Sequence, residues 1–332
     1  MSPDTPHSPT HASPVSGRTF AVTGGGGFIG SHLVNELLAQ GAARIVVVDS
    51  FEYGQSENLP VSDARLVVQS HRIGRESRLF LQQALEGVDF LFHLAAEKHN
   101  QSIDNPLKVI DANIAGTHEL LIAARDSGVK KVVFASSLYA YGRMSGAPFA
   151  EDEIPRPETV YGMSKLAGET LCHHFEKKFE LPCLSLRYLF AYGPKQFAHQ
   201  GYKSVIVKNF ERLIAGKPPQ IRGDGQQSLD YVFVDDVVAL TIKAMASNVS
   251  DRPLNICTGR AVTIVELTEA MQRVAGTDLA VMFTEADSTA GSSRVGNPML
   301  MKELLGAMPE TSLETGLSRT FEWMKARARP TP

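Results

Sequence analysis

Cysteine is scarce in this chain: Cys172, Cys183 and Cys257 are the only three among 332 residues, and no C-x-x-C occurs. That spacing excludes a disulfide framework and a cysteine-based metal site, and it fits a reducing, cytoplasmic setting. No apolar run is long enough to cross a bilayer as a helix, so no membrane partner is expected. Positive charge is not in excess. A formal net charge of −3 leaves no strongly basic surface for nucleic acid. Metal-ligand spacings are missing as well: His173 and His174 adjoin and face different sides of a helix. A nucleophile elbow for Ser/His/Asp catalysis is also absent. The first 16 residues lack the basic and apolar regions of a signal peptide. With Pro3, Pro6, Pro9 and Pro14 among Ser, Thr and His, they read as a disordered tail in which His7 and His11 are solvated. Residues 328–332 read as a second tail.

What is present is globular: 43% of residues are hydrophobic, enough for a large core. The chemistry begins at Thr23-Gly24-Gly25-Gly26-Gly27-Phe28-Ile29-Gly30, between the apolar run Thr19 to Val22 and an amphipathic run through Leu33, Val34, Leu37 and Leu38. Strand, glycine turn and helix form the setting in which a pyrophosphate is held, because the helix N-terminus offers free N–H groups and a partial positive charge. Gly24, Gly27 and Gly30 are spaced G-x-x-G-x-x-G. On its own such a turn also fits a flexible loop before an ordinary helix. Arg44 to Asp49 follows as a β-branched strand, and Asp49 ends it about 20 residues past the turn, where a carboxylate takes the adenine ribose hydroxyls. The same charge repels a 2′-phosphate, so the expected cofactor is NAD rather than NADP.

Strands are expected at Leu66 to Val68, Phe90 to Leu94, Lys131 to Ala135 and Leu184 to Tyr188. Helices are expected at Leu79 to Leu85, Pro106 to Ser127 and Tyr161 to Phe179. This alternation predicts an α/β fold with a doubly wound parallel Rossmann sheet over residues 17–188. Past about residue 190 glycine and proline become frequent and helices dominate, which predicts a smaller, mostly helical C-terminal substrate lobe over 189–327. Within it, about 230–258 returns to the first domain. Helices at Thr263 to Val274 and Leu313 to Ala326 are expected, the latter with Ser312 as N-cap.

Two motifs carry reactivity. Tyr161-Gly162-Met163-Ser164-Lys165 places a phenol and an ammonium four apart on one helix face, where the cation favours the phenolate. An exposed Tyr and Lys would give the same pattern. Phe134-Ala135-Ser136-Ser137 ends a strand in paired serines, at the end of a parallel sheet where ligands sit. A serine there bonds either a substrate oxygen or loose backbone groups.

With these pieces in place the chain resembles an extended short-chain dehydrogenase/reductase, close to the sugar-nucleotide epimerases. The matching segments are Thr23 to Gly30, Asp49, His93 to Ala96, Ser136-Ser137 with Tyr141-Gly142, Tyr161 to Lys165, Arg187-Tyr188 with Tyr192-Gly193-Pro194, Gly223-Asp224-Gly225, Asp230 to Val237 and Leu304-Leu305-Gly306. They span about Arg18 to Arg327. The resemblance implies a catalytic set of Ser137, Tyr161 and Lys165. It implies NAD contacts from Gly24, Gly27, Phe28, Ile29, Gly30, Asp49, Leu94, Ala95, Ala96, Tyr161 and Lys165, with Ile73 beside adenine. Lys98 matches a cofactor-contacting lysine of the galactose epimerases, and Asn113 matches an asparagine facing the cofactor. Tyr161 would take a hydroxyl proton while hydride passes to NAD, and an epimerase returns the hydride to the other face of the keto sugar.

The 4,6-dehydratases carry Asp and Glu directly after the serine position, and the uronate decarboxylases keep that Glu. This chain has Leu138 and Tyr139, so neither reaction is expected. Tyr139 is read as a wall of the sugar site. On the substrate side Phe190 stands for a diphosphate-contacting Asn, and Leu229 and Asp287 stand for two Arg. Lys195, Lys203, Arg222 and Arg294 are the cations that could compensate, and Ser137, Tyr139, Phe190, Lys203, Arg222 and Arg294 are the candidate substrate contacts. The expected activity is an NAD-dependent epimerase of a nucleotide-linked sugar. The alternatives are a dehydrogenase or ketoreductase of a sugar or polyol without the diphosphate, and a non-catalytic NAD-binding protein. Family members often pair through two long helices, which here implies a homodimer through Pro106 to Ser127 and Tyr161 to Phe179.

Overall fold

The computed structural model describes residues 13–142, 148–196, 203–286 and 291–328. In chain order the first elements are β1 (Thr19–Thr23), α1 (Phe28–Ala39), β2 (Arg44–Asp49), β3 (Leu66–Ser70), α2 (Arg78–Ala84) and β4 (Phe90–His93). Two short helices, α3 (Gln101–Asp104) and α4 (Pro106–Ile110), lead to α5 (Thr117–Asp126), β5 (Lys131–Ser137), α6 (Val160–Phe179) and β6 (Cys183–Tyr188). The second part holds β7 (Phe190–Tyr192), α7 (Val205–Ile214), β8 (Gln220–Arg222), β9 (Ser228–Leu229), β10 (Tyr231–Phe233), α8 (Val234–Ala246) and β11 (Arg252–Ile256). It ends with β12 (Val262–Thr263), α9 (Ile264–Ala275), β13 (Met282–Thr284), β14 (Ser293–Arg294), α10 (Met299–Leu305) and α11 (Leu313–Ala328).

Seven strands form one parallel sheet in the order β3-β2-β1-β4-β5-β6-β11. The chain winds outward from β1 to β3, then returns to β4 on the other side of β1. That reversal opens a crevice at the C-terminal ends of β1 and β4. The strands read as nearly continuous apolar runs because both faces are covered. Phe20, Val22, Ile45, Val47 and Phe92 pack on one face with Leu33, Val34 and Leu37 of α1 and Val237 and Val238 of α8. Ala21, Val46, Val48, Leu91 and Phe134 face the other way, against Leu81 of α2, Leu120 and Leu121 of α5 and Phe175 of α6. A separate core, with Phe210 of α7, Leu267 and Met271 of α9 and Leu317 and Phe321 of α11, holds the C-terminal lobe together.

The expected return to the sheet is made by β11, which pairs with β6, while α8 packs on the sheet face. Ser312 Oγ accepts the Thr315 N–H at the start of α11 as anticipated. Thr263 proves to be the N-cap of α9 rather than its first residue, in a capping box with Glu266.

Two expectations need correction. Residues 13–16, assigned to the tail, belong to the fold: Val15 is fully buried against the α1 face, and Ser13 Oγ donates to Gln40 Oε1 at 3.0 Å. One apolar side chain just ahead of β1 overrides the Pro- and Ser-rich composition around it. The long helix from Pro106 is interrupted, because the backbone widens into a π-helical segment over Asp111–Gly116.

Candidate active site

The cofactor end is built from close approaches. Gly24 has φ of +73°, and a Cβ there would meet the Ala95 nitrogen at 2.7 Å. At Gly30 a Cβ would lie 2.1 Å from the Gly24 carbonyl oxygen, so only glycine lets α1 start against the turn. No side chain caps α1, which leaves its first N–H groups for a ligand. Asp49 is buried at the end of β2. Its Oδ2 accepts the Gly26 N–H at 2.9 Å and its Oδ1 the Phe51 N–H at 2.8 Å. Burial raises its pKa against the lowering effect of these two bonds. Each oxygen keeps a lone pair for a diol.

One cavity of about 510 Å³ runs from this turn across the strand ends. Its wall includes Gly24, Gly27, Phe28, Ile29, Gly30, Asp49, Ile73, Leu94, Ala95, Ala96 and Lys98 from the cofactor set. At the other end stand Ser137, Tyr161, Lys165 and Phe190. Backbone N–H groups, a carboxylate and an apolar slot form a donor set that fits a dinucleotide. His93 anchors the cavity from below. Its Nδ1 pairs with Thr23 Oγ1 at 2.7 Å and its Nε2 with Thr117 Oγ1 at 2.9 Å, and burial holds it neutral with a pKa of about 3.

At the reactive end, Ser137 lies beside Tyr161 and accepts the Tyr139 N–H on its Oγ at 3.3 Å. Lys165 donates from Nζ to the Ala135 carbonyl at 2.7 Å, and Nζ lies 5.7 Å from the Tyr161 ring centroid. The expected drop in the Tyr161 pKa is not found: burial pushes the phenol up to about 12, and the neighbouring Ser137 hydroxyl offsets only part of this. Burial also lowers Lys165 to about 8, opposed by the charge of Glu169. Desolvation outweighs the pairing that the four-residue spacing suggests, because both groups are removed from water.

Not every anticipated residue reaches the cavity. Asn113 sits in the π segment with its amide committed elsewhere. It accepts the Glu97 N–H at 2.7 Å and donates to the Glu97 carbonyl and to Ser164 Oγ, so it positions the loop after β4 instead of facing the cofactor. Lys203 is tied to Glu211 at 2.7 and 2.9 Å. Arg222 lies at an exposed end of β8, away from the wall. Tyr139 and Arg294 are not among the residues lining this cavity but adjoin it at Tyr161, the Tyr139 ring 5.8 Å from the Tyr161 ring and the Arg294 guanidinium carbon 5.9 Å from the Tyr139 ring. Lys195 donates to the Asn58 carbonyl. Asp287 lies outside the described residues.

The structure adds residues that pattern alone did not mark. Tyr53, on the loop after β2, donates to Glu97 at 2.9 Å across the cavity wall, and the Lys98 ammonium lies 4.5 Å from its ring. Beneath Ser137, Arg187 forms a buried fork with Glu169, from Nε at 2.9 Å and from Nη2 at 2.7 Å, and Ser136 also donates to Glu169. Here two signals were available. Glu169 lies four residues after Lys165 on the same helix face, and an arginine inside an apolar strand demands a partner.

A family model for the NAD dependent epimerase/dehydratase family matches residues 20–257. The chain belongs to this family. It is 33% identical to the UDP-glucose 4-epimerase of Mycolicibacterium smegmatis, covering 93% of this chain and 99% of that one. Its structure is similar to a UDP-glucose 4-epimerase of Thermotoga maritima solved with UDP-glucose, with a TM-score of 0.87, 32% identity, and 94% and 100% of the two chains covered. It is also similar to a UDP-N-acetylglucosamine 4-epimerase of Methanobrevibacter ruminantium in complex with UDP-N-acetylmuramic acid, with a TM-score of 0.88, 28% identity, and 94% and 99% covered. The family's dependence on NAD agrees with the glycine turn and Asp49.

Replacing Glu169 with Gln leaves the Arg187 guanidinium buried without its counter-charge. The expected loss is about 3–5 kcal/mol of unfolding free energy, read from the urea midpoint. A change below about 1 kcal/mol would show that the fork does not hold α6 to the sheet.

Proposed function

We propose that this protein is an NAD-dependent epimerase that inverts a hydroxyl-bearing carbon of a nucleotide-linked sugar. The observation that carries this reading is a single cavity with a dinucleotide cradle at one end and Ser137, Tyr161 and Lys165 at the other. When bound, NAD supplies the acceptor and later the donor of a hydride, and its cationic ring favours the phenolate. The chain handles the proton. Tyr161 Oη takes it from the sugar hydroxyl and returns it after the keto sugar has turned over. Ser137 Oγ, beside the phenol, steadies the nascent carbonyl oxygen. Lys165, anchored on the Ala135 carbonyl, keeps a positive charge beside the phenol. Leu138 is buried and Tyr139 is a phenol, so no carboxylic acid stands after Ser137 to expel water from the neighbouring carbon. The turnover therefore stops at inversion.

A homodimer is also proposed, from an apolar patch on the two helical layers expected to pair. Leu107 of α4 is 76% exposed and Met163 of α6 51%, with Ile103 of the preceding α3, outside those two helices, at 83%, and large apolar side chains left in water on neighbouring helices support an interaction site there. Among the described residues no helix is long and apolar enough to cross a membrane.

Four experiments test these readings. With NAD present, a panel of UDP-, TDP-, GDP- and CDP-hexoses is expected to yield one interconverting pair without accumulation of NADH. Stoichiometric NADH release from a free sugar or polyol would instead support the dehydrogenase that Phe190 and Leu229 leave open. Tyr161→Phe is expected to lower turnover about 10³-fold while NAD still binds. On pH, the Lys165 ammonium is lost as pH rises through about 8, below its ordinary 10.5, so kcat is expected to fall there. Lys165→Arg keeps its charge and should be slower, without that alkaline limb. An unchanged limb would contradict the role of the Lys165 charge. Leu107→Asp combined with Met163→Asp is expected to convert a dimer to a monomer in light scattering.

A further inference from the structure

The cations around the cavity are almost all committed to partners within the chain. Lys108 pairs with Glu97, Arg72 with Asp111, Lys165 with the Ala135 carbonyl and Arg187 with Glu169. Two cations are different: Lys98, which lies over the Tyr53 ring in the cofactor wall, and Arg294 on the sugar side. Among the described residues its guanidinium makes no ion pair and no hydrogen bond, although the residue is only partly exposed. Its backbone is fixed by the lobe: β14 runs beside β9 with Arg294 in register with Leu229, and the Asp230 N–H donates to the Arg294 carbonyl at 3.1 Å. Its side chain lies against Tyr139.

That ring connects Arg294 to the reacting phenol. Tyr139 meets Tyr161 edge-on, with centroids 5.8 Å apart. His99 stacks on Tyr139 at 4.4 Å and meets Tyr161 edge-on at 6.0 Å. The Nδ1 atom of His99 is buried and has no hydrogen-bond partner. Burial and the neighbouring Arg294 charge both depress the His99 pKa, which leaves Arg294 as the cation of this cluster. A guanidinium held partly away from water with no counter-ion is costly, and its planar fork matches a carboxylate.

Resting on the epimerase reading above, we propose that Arg294 binds a carboxylate borne by the sugar itself, so that the preferred substrate is a nucleotide-linked sugar acid rather than a neutral hexose. A sugar ring lying along Tyr139 touches Tyr161 at one side and Arg294 at the other. The diphosphate is the other anion the guanidinium could serve, and the experiment separates the two sources.

Wild type, Arg294→Gln and Arg294→Lys are compared on UDP-glucose and UDP-glucuronate, or on the corresponding neutral and acid pair of the nucleotide found in the panel. Wild type is expected to favour the acid by about 10-fold or more in kcat/KM. Arg294→Gln should lower kcat/KM about 100-fold for the acid and about threefold for the neutral sugar, with Arg294→Lys between. Unchanged NAD binding and melting temperature establish that the variants are folded. Equal losses on both sugars would assign Arg294 to the diphosphate and overturn the proposal. A wild-type preference for the neutral sugar, or an unaltered acid in Arg294→Gln, would also overturn it. Either result leaves the epimerase reading standing, whereas absence of turnover on every nucleotide sugar removes that reading itself.

Discussion

The buried fork between Arg187 and Glu169 is the interaction on which the reactive end depends. It joins β6 to α6, and through Ser136 it reaches the end of β5. Those three elements carry every member of the proposed catalytic set. Ser137 ends β5, and Tyr161 and Lys165 lie in the first turns of α6. A pair so deeply buried gains little net stability from its own attraction, because desolvation consumes most of it. What it gives is position: removing either charge strands the other, so α6 has one favourable setting on the sheet.

The same dryness sets the chemistry. Burial drives Tyr161 and Lys165 toward their neutral forms, the phenol upward and the ammonium downward. The site thus rests with its proton on Tyr161. It becomes a base only when positive charge is brought to it. At the cofactor end the backbone does the work. The Gly24–Gly30 contact closes the turn, and Asp49 braces the loop over it by accepting two N–H groups. The two ends share the crevice because the strand order reverses between β1 and β4.

Much of this was legible in the residues. The glycine turn, Asp49, the serine pair and the Tyr161/Lys165 spacing are local patterns, and the structure brings them to one cavity. Features that depend on distant partners were not legible. Nothing local marks Tyr53, whose contact is Glu97, some forty residues away. Asn113 was read as facing the cofactor because a helix position does not reveal that Glu97 and Ser164 occupy its amide. Lys203 looked available until its partner Glu211 was in view. The ionisation of Tyr161 failed for another reason. Spacing reports proximity along a helix, but not the loss of water that overrides it.

The most direct test follows the hydrogen on the inverted carbon. A nucleotide sugar deuterated at that carbon is incubated with the protein and NAD in ordinary water, and both epimers are analysed by mass spectrometry and NMR. The account predicts that the product epimer keeps its deuterium at the same carbon, with no NADH accumulating. Loss of the label to solvent, or its appearance in released NADH, would contradict an inversion in which Tyr161 moves only the hydroxyl proton.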